Sequence, residues 1–317
     1  MPESDFSCRG PHAVGALQTE IPSPDDPLDP ERALPCEIWY PAARNVLGAE
    51  PAPHPLGLPH AAGTGLPPLE IACPLIGFSH GNSGLRQQST FLTTHLASWG
   101  FVIVAPDHVG NTFPEMAGVE DESARREIHR RARAQRPTDL LQSMRALVDE
   151  GHAQSRRPPI DVARLGLLGH SFGGWTALKG PARESRIRAV CGLAPASEPF
   201  VGRRAFEPGE LPLPPEIRSL IIAAEDDILV DLESSVRPLH ERLGAEAELA
   251  VLDRADHFHF CDGIELLHAL HERTPRPLAP RPARPMAELR DEADTHAWLG
   301  ERVTRFFHEA LVAVGEH

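Results

Sequence analysis

Ser171, Asp227 and His257 are the residues of this sequence whose types and order could carry out a reaction together. A serine hydroxyl is a weak nucleophile near neutral pH and needs a base within hydrogen-bond reach to take its proton. An imidazole is the usual base, and a carboxylate behind it fixes its tautomer and stabilises its cation. Ser171 lies in Gly169-His-Ser-Phe-Gly173, a G-x-S-x-G pattern. Asp227 ends the run Leu220-Ile-Ile-Ala-Ala-Glu-Asp-Asp227, and His257 ends Ala255-Asp-His257. The order serine, acid, histidine is one that such a proton relay takes along a chain of alternating strands and helices. The chemistry would be acyl transfer through a serine ester. Asp226 is the alternative acid; Asp227 is preferred because Ile228-Leu229 follow it. His259 is the alternative base; His257 is preferred because it comes at the first turn past the last strand.

Acyl transfer also needs donors for the oxyanion. One donor is the backbone N–H of Phe172, the residue after the nucleophile. The second falls in Ser79-His-Gly-Asn82, where Gly81 lets the chain fold close and the N–H of Asn82 is placed to donate. Losing one such donor typically costs about 3 kcal/mol of transition-state stabilisation.

These side chains must be carried by strand ends. The apolar run Leu165–Leu168 predicts a strand into the serine turn, and a helix from Trp175 to about Gly180 follows it. Gly169 and Gly173 flank the serine where a Cβ would crowd a sharp turn. Further strands are predicted at 11–20, 33–40, 71–78 (broken by Pro74), 101–105, 187–194, 219–224 and 246–252. The first two read as an antiparallel edge pair joined by a turn-rich segment, 22–32. Helices are predicted from about 86 to 99, across the charged stretch 120–135, from Pro137 to about Glu150, over 231–243, and as a long closing helix over 286–314. Segment 41–70 reads as an exposed Pro/Gly/Ala loop, 195–216 as an irregular cap, and 275–285 as a Pro/Arg loop. Alternation of strand and helix predicts one α/β domain over residues 1–317, a mostly parallel sheet with helices on both faces. The polar clusters all fall at carboxyl ends of strands, where such a sheet binds ligands.

Composition narrows the function. A net charge of −14 argues against nucleic acid or an anionic membrane surface as partner. No apolar run reaches the ~18 residues of a membrane span. Five cysteines with no close pairs, and no secretory leader pattern, predict a cytoplasmic address. Lys179 is the only lysine, and with 33 prolines this reads as coding bias. Asp256, His257, His259, Cys261 and Asp262 are dense in possible metal ligands but lack metal-site spacing, so no metal is expected. No nucleotide motif is present, and no cofactor is expected. The expected partner is a small-molecule ester; the oligomeric state stays open.

With these residues placed, the chain resembles the α/β-hydrolase superfamily, and within it the dienelactone hydrolase-like group with plasma platelet-activating-factor acetylhydrolases and polyester-cleaving cutinases. The resemblance rests on Glu37-Ile-Trp-Tyr-Pro41, Gly77-Phe-Ser-His-Gly81 with Arg86-Gln87, Pro106-Asp-His-Val-Gly-Asn111, Gly169–Gly174, Leu220–Asp227 and Ala255–His257, spread over about residues 11–262. It implies an α/β-hydrolase fold and a serine esterase with Ser171 as nucleophile, Asp227 as acid, His257 as base and Asn82 as an oxyanion donor. In cutinase-like relatives the position of Asn82 carries an aromatic platform for substrate, and in true dienelactone hydrolases the nucleophile is cysteine. An amidase or acyltransferase would use the same triad. A hydrolase-fold protein that only binds is the alternative of another class.

Overall fold

The computed structural model describes residues 5–23, 29–43, 50–149, 157–274, 279 and 281–313. Among these, nine strands form one sheet: β1 (Ala13–Pro22), β2 (Ala33–Ala42), β3 (Gly63–Thr64), β4 (Cys73–Ser79), β5 (Val102–Pro106), β6 (Ile160–His170), β7 (Ile187–Leu193), β8 (Arg218–Ala224) and β9 (Glu248–Leu252). Their spatial order is β3-β1-β2-β5-β4-β6-β7-β8-β9. β1 and β2 pair antiparallel, as do β2 and β5. Every pairing from β5 through β9 is parallel. The helices are α1 (Thr90–Ser98), α2 (Phe113–Met116), α3 (Glu122–Asp149), α4 (Phe172–Leu178), α5 (Arg237–Leu243), α6 (Ile264–Arg273) and α7 (Glu292–Leu311).

Strand side chains alternate between two cores, as a period of two requires. On β5, Val102 and Val104 join the core under α3, α4 and α5, with Leu140, Met144, Trp175 and Leu239. Ile103 and Ala105 join the core under α1 and α7, with Leu92, Leu96, Leu299, Val303 and Phe307. Helices therefore cover both faces of a mostly parallel sheet, as predicted. That packing leaves the carboxyl ends of β4, β6, β8 and β9 free to carry polar loops. No helix among the described residues is long and apolar enough to cross a membrane.

Several elements differ from expectation. The two helices predicted at 120–135 and from Pro137 are one helix, α3, with Pro137 inside it. Proline lacks the N–H for one rung and crowds the preceding turn. Burial of Ala132, Arg136, Leu140 and Leu141 on either side anchors the helix through that defect. Glu150 lies outside the described residues. Segment 41–70 is not simply exposed: Ala52, His60, Ala62 and Leu66 are buried, and β3 pairs with β1. The Trp39 indole donates to His60, and the Tyr40 hydroxyl donates to the Leu66 carbonyl, which ties this segment to β2. Residues 44–49 of it, and parts of 22–32 and 275–285, lie outside the described residues.

The closing helix begins later than predicted. Residues Met286–Glu288 form a short 3-10 turn, and Asp291 then caps α7 by accepting from the Asp294 N–H. Val314 lies outside the described residues. α6 has no counterpart among the predicted helices; it leaves Leu266 and Leu270 exposed. α1 begins at Thr90 and not near Arg86; at that start the Asp262 carboxylate accepts from the N–H groups of Thr90 and Phe91. The turn that carries His257 past the last strand is a 3-10 turn over His257–Phe260.

Candidate active site

Ser171 stands between β6 and α4 with φ 56° and ψ −120°, a backbone region costly for any residue with a Cβ. The strain is held by three hydrogen bonds. The Ser171 N–H donates to the Leu193 carbonyl at the end of β7. The Ser171 carbonyl accepts from the N–H groups of Ala196 and Trp175. The glycines explain why the turn can be this tight. A Cβ on Gly173 would stand 1.9 Å from the Ser79 carbonyl oxygen, and one on Gly169 would stand 2.1 Å from the Gly173 oxygen. Both obstacles are backbone and cannot step aside. Gly173→Ala is therefore expected to lower stability by about 3 kcal/mol or more, at the upper end of overpacking costs. A thermal melt of the variant beside wild type checks this; an unchanged midpoint would mean the turn is looser than described.

Asp227 is fully buried past the end of β8. Its Oδ1 accepts from the N–H groups of Leu229 (2.7 Å) and Val230 (2.8 Å). Its Oδ2 lies 2.6 Å from Nδ1 of His257. Two backbone donors thus fix one oxygen and aim the other at the imidazole. With Nδ1 engaged, Nε2 is left as the basic nitrogen. Asp226 faces elsewhere, toward Arg284 at 3.0 Å and Arg281 at 3.9 Å. Of the two carboxylates, Asp227 is the one that meets His257. His259 is fully buried, accepts from the Asp256 N–H, and reaches the Arg290 carbonyl. It braces the turn and does not face the serine.

Ser171, His257, Asn82 and Gly81 line one cavity of about 490 Å³. This size is within the range of small-molecule sites. A Cβ built on Gly81 would lie 3.5 Å from the Ser171 Cβ, so the loop after β4 crosses close to the serine. The cavity walls are largely apolar, with Leu56, Phe113, Phe200, Leu229, Leu266 and Leu270 exposed at its rim. Phe200 comes from the 195–216 segment, which is thus positioned over the strand ends. A larger cavity, about 610 Å³ between α1 and α7, holds neither Ser171 nor His257. Among the described residues no group of three His, Cys, Asp or Glu side chains could hold a metal ion.

Four residues near the site were not singled out from sequence for what they do here: Gln88, Asn111, Arg136 and His170. Gln88 Oε1 accepts from the Gly81 N–H at 2.9 Å, and its Nε2 lies 2.9 Å from Nδ1 of His170. Nε2 of His170 lies 3.0 Å from the His257 carbonyl. One side-chain relay thus ties the loop after β4 to the turn carrying the imidazole. Burial, reinforced by the nearby His257, holds His170 well below the ordinary histidine pKa, so it serves as a neutral linker. His170 sits in the serine motif, but Gln88 lies outside the quoted motifs, and their pairing, 82 residues apart, left no local signal.

Behind His257, Asp256 accepts from the Phe258 N–H and is flanked by the imidazoles of His259 and His268. Burial opposes its ionisation, but these hydrogen bonds outweigh it and hold its pKa well below the ordinary carboxylate range. A depressed native pKa gives stability that is present above the unfolded-state pKa and lost as pH falls through the native one. Asp256→Ala is accordingly expected to cost roughly 1.5–3 kcal/mol at neutral pH, the worth of a charge-assisted hydrogen bond. The penalty should shrink as pH drops below the carboxylate range. Denaturant melts of both proteins across that range test it; a penalty independent of pH would contradict the ionic role.

Residues 75–267 match the sequence profile of the PETase family, described as PET hydrolase-like. The chain belongs to the PET hydrolase-like family. The matched stretch contains Asn82, Ser171, Phe172, Asp227 and His257. Among relatives, the platelet-activating factor acetylhydrolase of Canis lupus familiaris is 27% identical over 153 residues, 38% of this chain and 34% of that protein. Cutinase est1 of Thermobifida alba is 25% identical over 189 residues, 60% of this chain and 54% of that protein. The chain thus spans about a third to a half of the length of these relatives. A ferulic acid esterase from Streptomyces cinnamoneus superposes with a TM-score of 0.64 at 21% identity, covering 96% of this chain and 92% of that one. This likeness, with the sheet described above, gives the PET hydrolase-like chain an α/β-hydrolase fold.

Proposed function

We propose that this protein is a cofactor-independent serine hydrolase of carboxylic esters. One observation carries it: a serine held in a strained strand-to-helix turn shares a cavity with an imidazole whose far nitrogen is fixed by a buried carboxylate. Ser171 Oγ attacks the ester carbonyl while His257 Nε2 takes its proton. The backbone N–H groups of Phe172 and Asn82 bind the oxyanion. The imidazolium, steadied by Asp227, then protonates the leaving alcohol. Water, activated by the same histidine, frees the acid and restores the serine. The family membership and the printed names of the relatives, an acetylhydrolase, a cutinase and a ferulic acid esterase, support ester cleavage. Asn82 offers no aromatic platform at the cavity, so small soluble esters are favoured over polymers. All five cysteines are free, which supports a reducing, cytoplasmic setting.

Nitrophenyl esters of increasing acyl length, beside the matching nitroanilides, test the proposal. Esters are expected to turn over and anilides not. The apolar walls predict that KM falls with chain length, by up to about fourfold per methylene at ~0.8 kcal/mol each, until the cavity is full. No ester turnover by a protein whose Ser171 accepts a phosphonate label would point instead to a hydrolase-fold protein that only binds.

A further inference from the structure

We infer that Arg136, buried inside α3, is the positioning residue that sets both donors of the oxyanion hole. This inference rests on the proposed serine hydrolase chemistry. Arg136 is fully buried, yet among the described residues its guanidinium bonds no carboxylate directly. Nη1 donates to the His80 carbonyl at 2.6 Å. Nη2 donates to the Gly81 carbonyl at 2.8 Å. Nε and Nη2 both donate to Oδ1 of Asn111, at 3.1 and 2.8 Å. Asn111 in turn donates from Nδ2 to Oδ1 of Asn82 at 3.0 Å. The same guanidinium lies 4.7 Å over the ring of Phe172.

The consequence follows from peptide geometry. In a trans peptide the carbonyl and the next N–H point in opposite directions. Arg136 grips the Gly81 carbonyl, so the Asn82 N–H on the same peptide points away from the guanidinium. Gly81 and Asn82 line the catalytic cavity and Arg136 does not, so the opposite side is the cavity side. A positively charged donor on the carbonyl also polarises the peptide and strengthens the N–H as a donor. His80 adds a second donor to that carbonyl from Nδ1, at 2.7 Å. The other half of the hole, the Phe172 N–H, belongs to the residue whose ring the guanidinium covers. One side chain therefore holds both halves in register, where misplacement by an ångström can cost about a hundredfold in rate.

A buried charge without a bonded carboxylate is expensive, which argues that it is kept for more than packing. Burial pulls the Arg136 pKa down to about 9, with the nearby Asp139 opposing that shift, so the group remains charged at neutral pH.

Three variants of the whole protein test the inference: Arg136→Met, Arg136→Lys and Asn111→Ala. Ester turnover is normalised to the serine titrated by fluorophosphonate, and the affinity of a trifluoromethyl ketone is measured alongside. That ketone adds to the serine and leaves an oxyanion in the hole. For Arg136→Met, kcat is expected to fall about a hundredfold, the scale of losing one oxyanion donor, with KM nearly unchanged. Ketone affinity should fall in step with kcat/KM. Arg136→Lys should recover part of both losses, because it restores the charge but not the fork that reaches two carbonyls and Asn111. Asn111→Ala, which leaves the grip on the carbonyls, should lose about three- to tenfold in kcat, the scale of one neutral hydrogen bond. Turnover per titrated serine and ketone affinity matching wild type in the lysine and alanine variants would overturn the inference. So would failure of both Arg136 variants to fold together with wild-type turnover in Asn111→Ala, since that assigns Arg136 to stability. If wild-type Ser171 takes no phosphonate, the nucleophile assignment fails, and that result is distinct from any of these.

Discussion

Ser171→Ala is expected to remove ester turnover, lowering kcat/KM by roughly 10⁴- to 10⁶-fold, while the protein keeps its fold. The loss is large because the hydroxyl is the atom that forms the acyl bond, and nothing nearby replaces it. Cys261 lines the same cavity, but burial raises its thiol well above the ordinary value and keeps it from acting as a thiolate. The fold should persist because the strained turn is secured by the Ser171 backbone, through Leu193, Ala196 and Trp175, and not by its hydroxyl. Alanine keeps the same Cβ and meets the same backbone strain. Steady-state kinetics with a nitrophenyl butyrate, a thermal melt, and peptide mapping of a fluorophosphonate adduct on wild type together test it. An adduct on a residue other than 171, or turnover within about a hundredfold of wild type in the folded variant, would remove Ser171 from the reaction.

Much of this site was legible in the sequence because the residues that define it are locally constrained. Only glycine tolerates the approach of Ser79 and Gly173 to the serine turn, so Gly169 and Gly173 announce the turn in one-dimensional form. The buried strands β4 to β8 read as short apolar runs because both faces are covered. What stayed hidden is set by pairing at a distance. The preference for Asp227 over Asp226 has only the following Ile228-Leu229 to rest on locally; which carboxylate meets His257 is a matter of pairing 30 residues apart. Arg136 directly follows the charged stretch 120–135, and nothing local marks it as the arginine that turns inward. Its burial appears only when α3 is laid against the loop after β4, 55 residues away in sequence. Pro137 misled for the same reason: its helix-breaking tendency is local, and the packing that overrides it is not.

Asp227→Asn is the second large expected effect: kcat down about 10⁴-fold, with the site's geometry nearly intact. The amide has the shape of the carboxylate, and its oxygen can still accept from Leu229 and Val230. That orientation turns the amide NH₂ toward Nδ1 of His257. The imidazole must then carry its proton on Nε2 so that Nδ1 can accept, and Nε2 is the nitrogen needed as base. The variant also withdraws the negative charge that stabilises the imidazolium in the transition state. Asp226→Asn makes the opposite case. Asp226 is partly exposed and its ion pair with Arg284 lies at the surface, where such pairs are worth about 0–1 kcal/mol. Its kcat should stay within about threefold of wild type, since it touches no reacting group. Asp227→Asn in a Ser171→Ala background should cost almost nothing further, because the members of a relay act as one unit. Comparable losses in the two single asparagine variants would mean the carboxylate at 227 acts only as part of a general negative field. A 10⁴-fold gap between neighbours in sequence would locate the effect in the single hydrogen bond from His257 to Asp227.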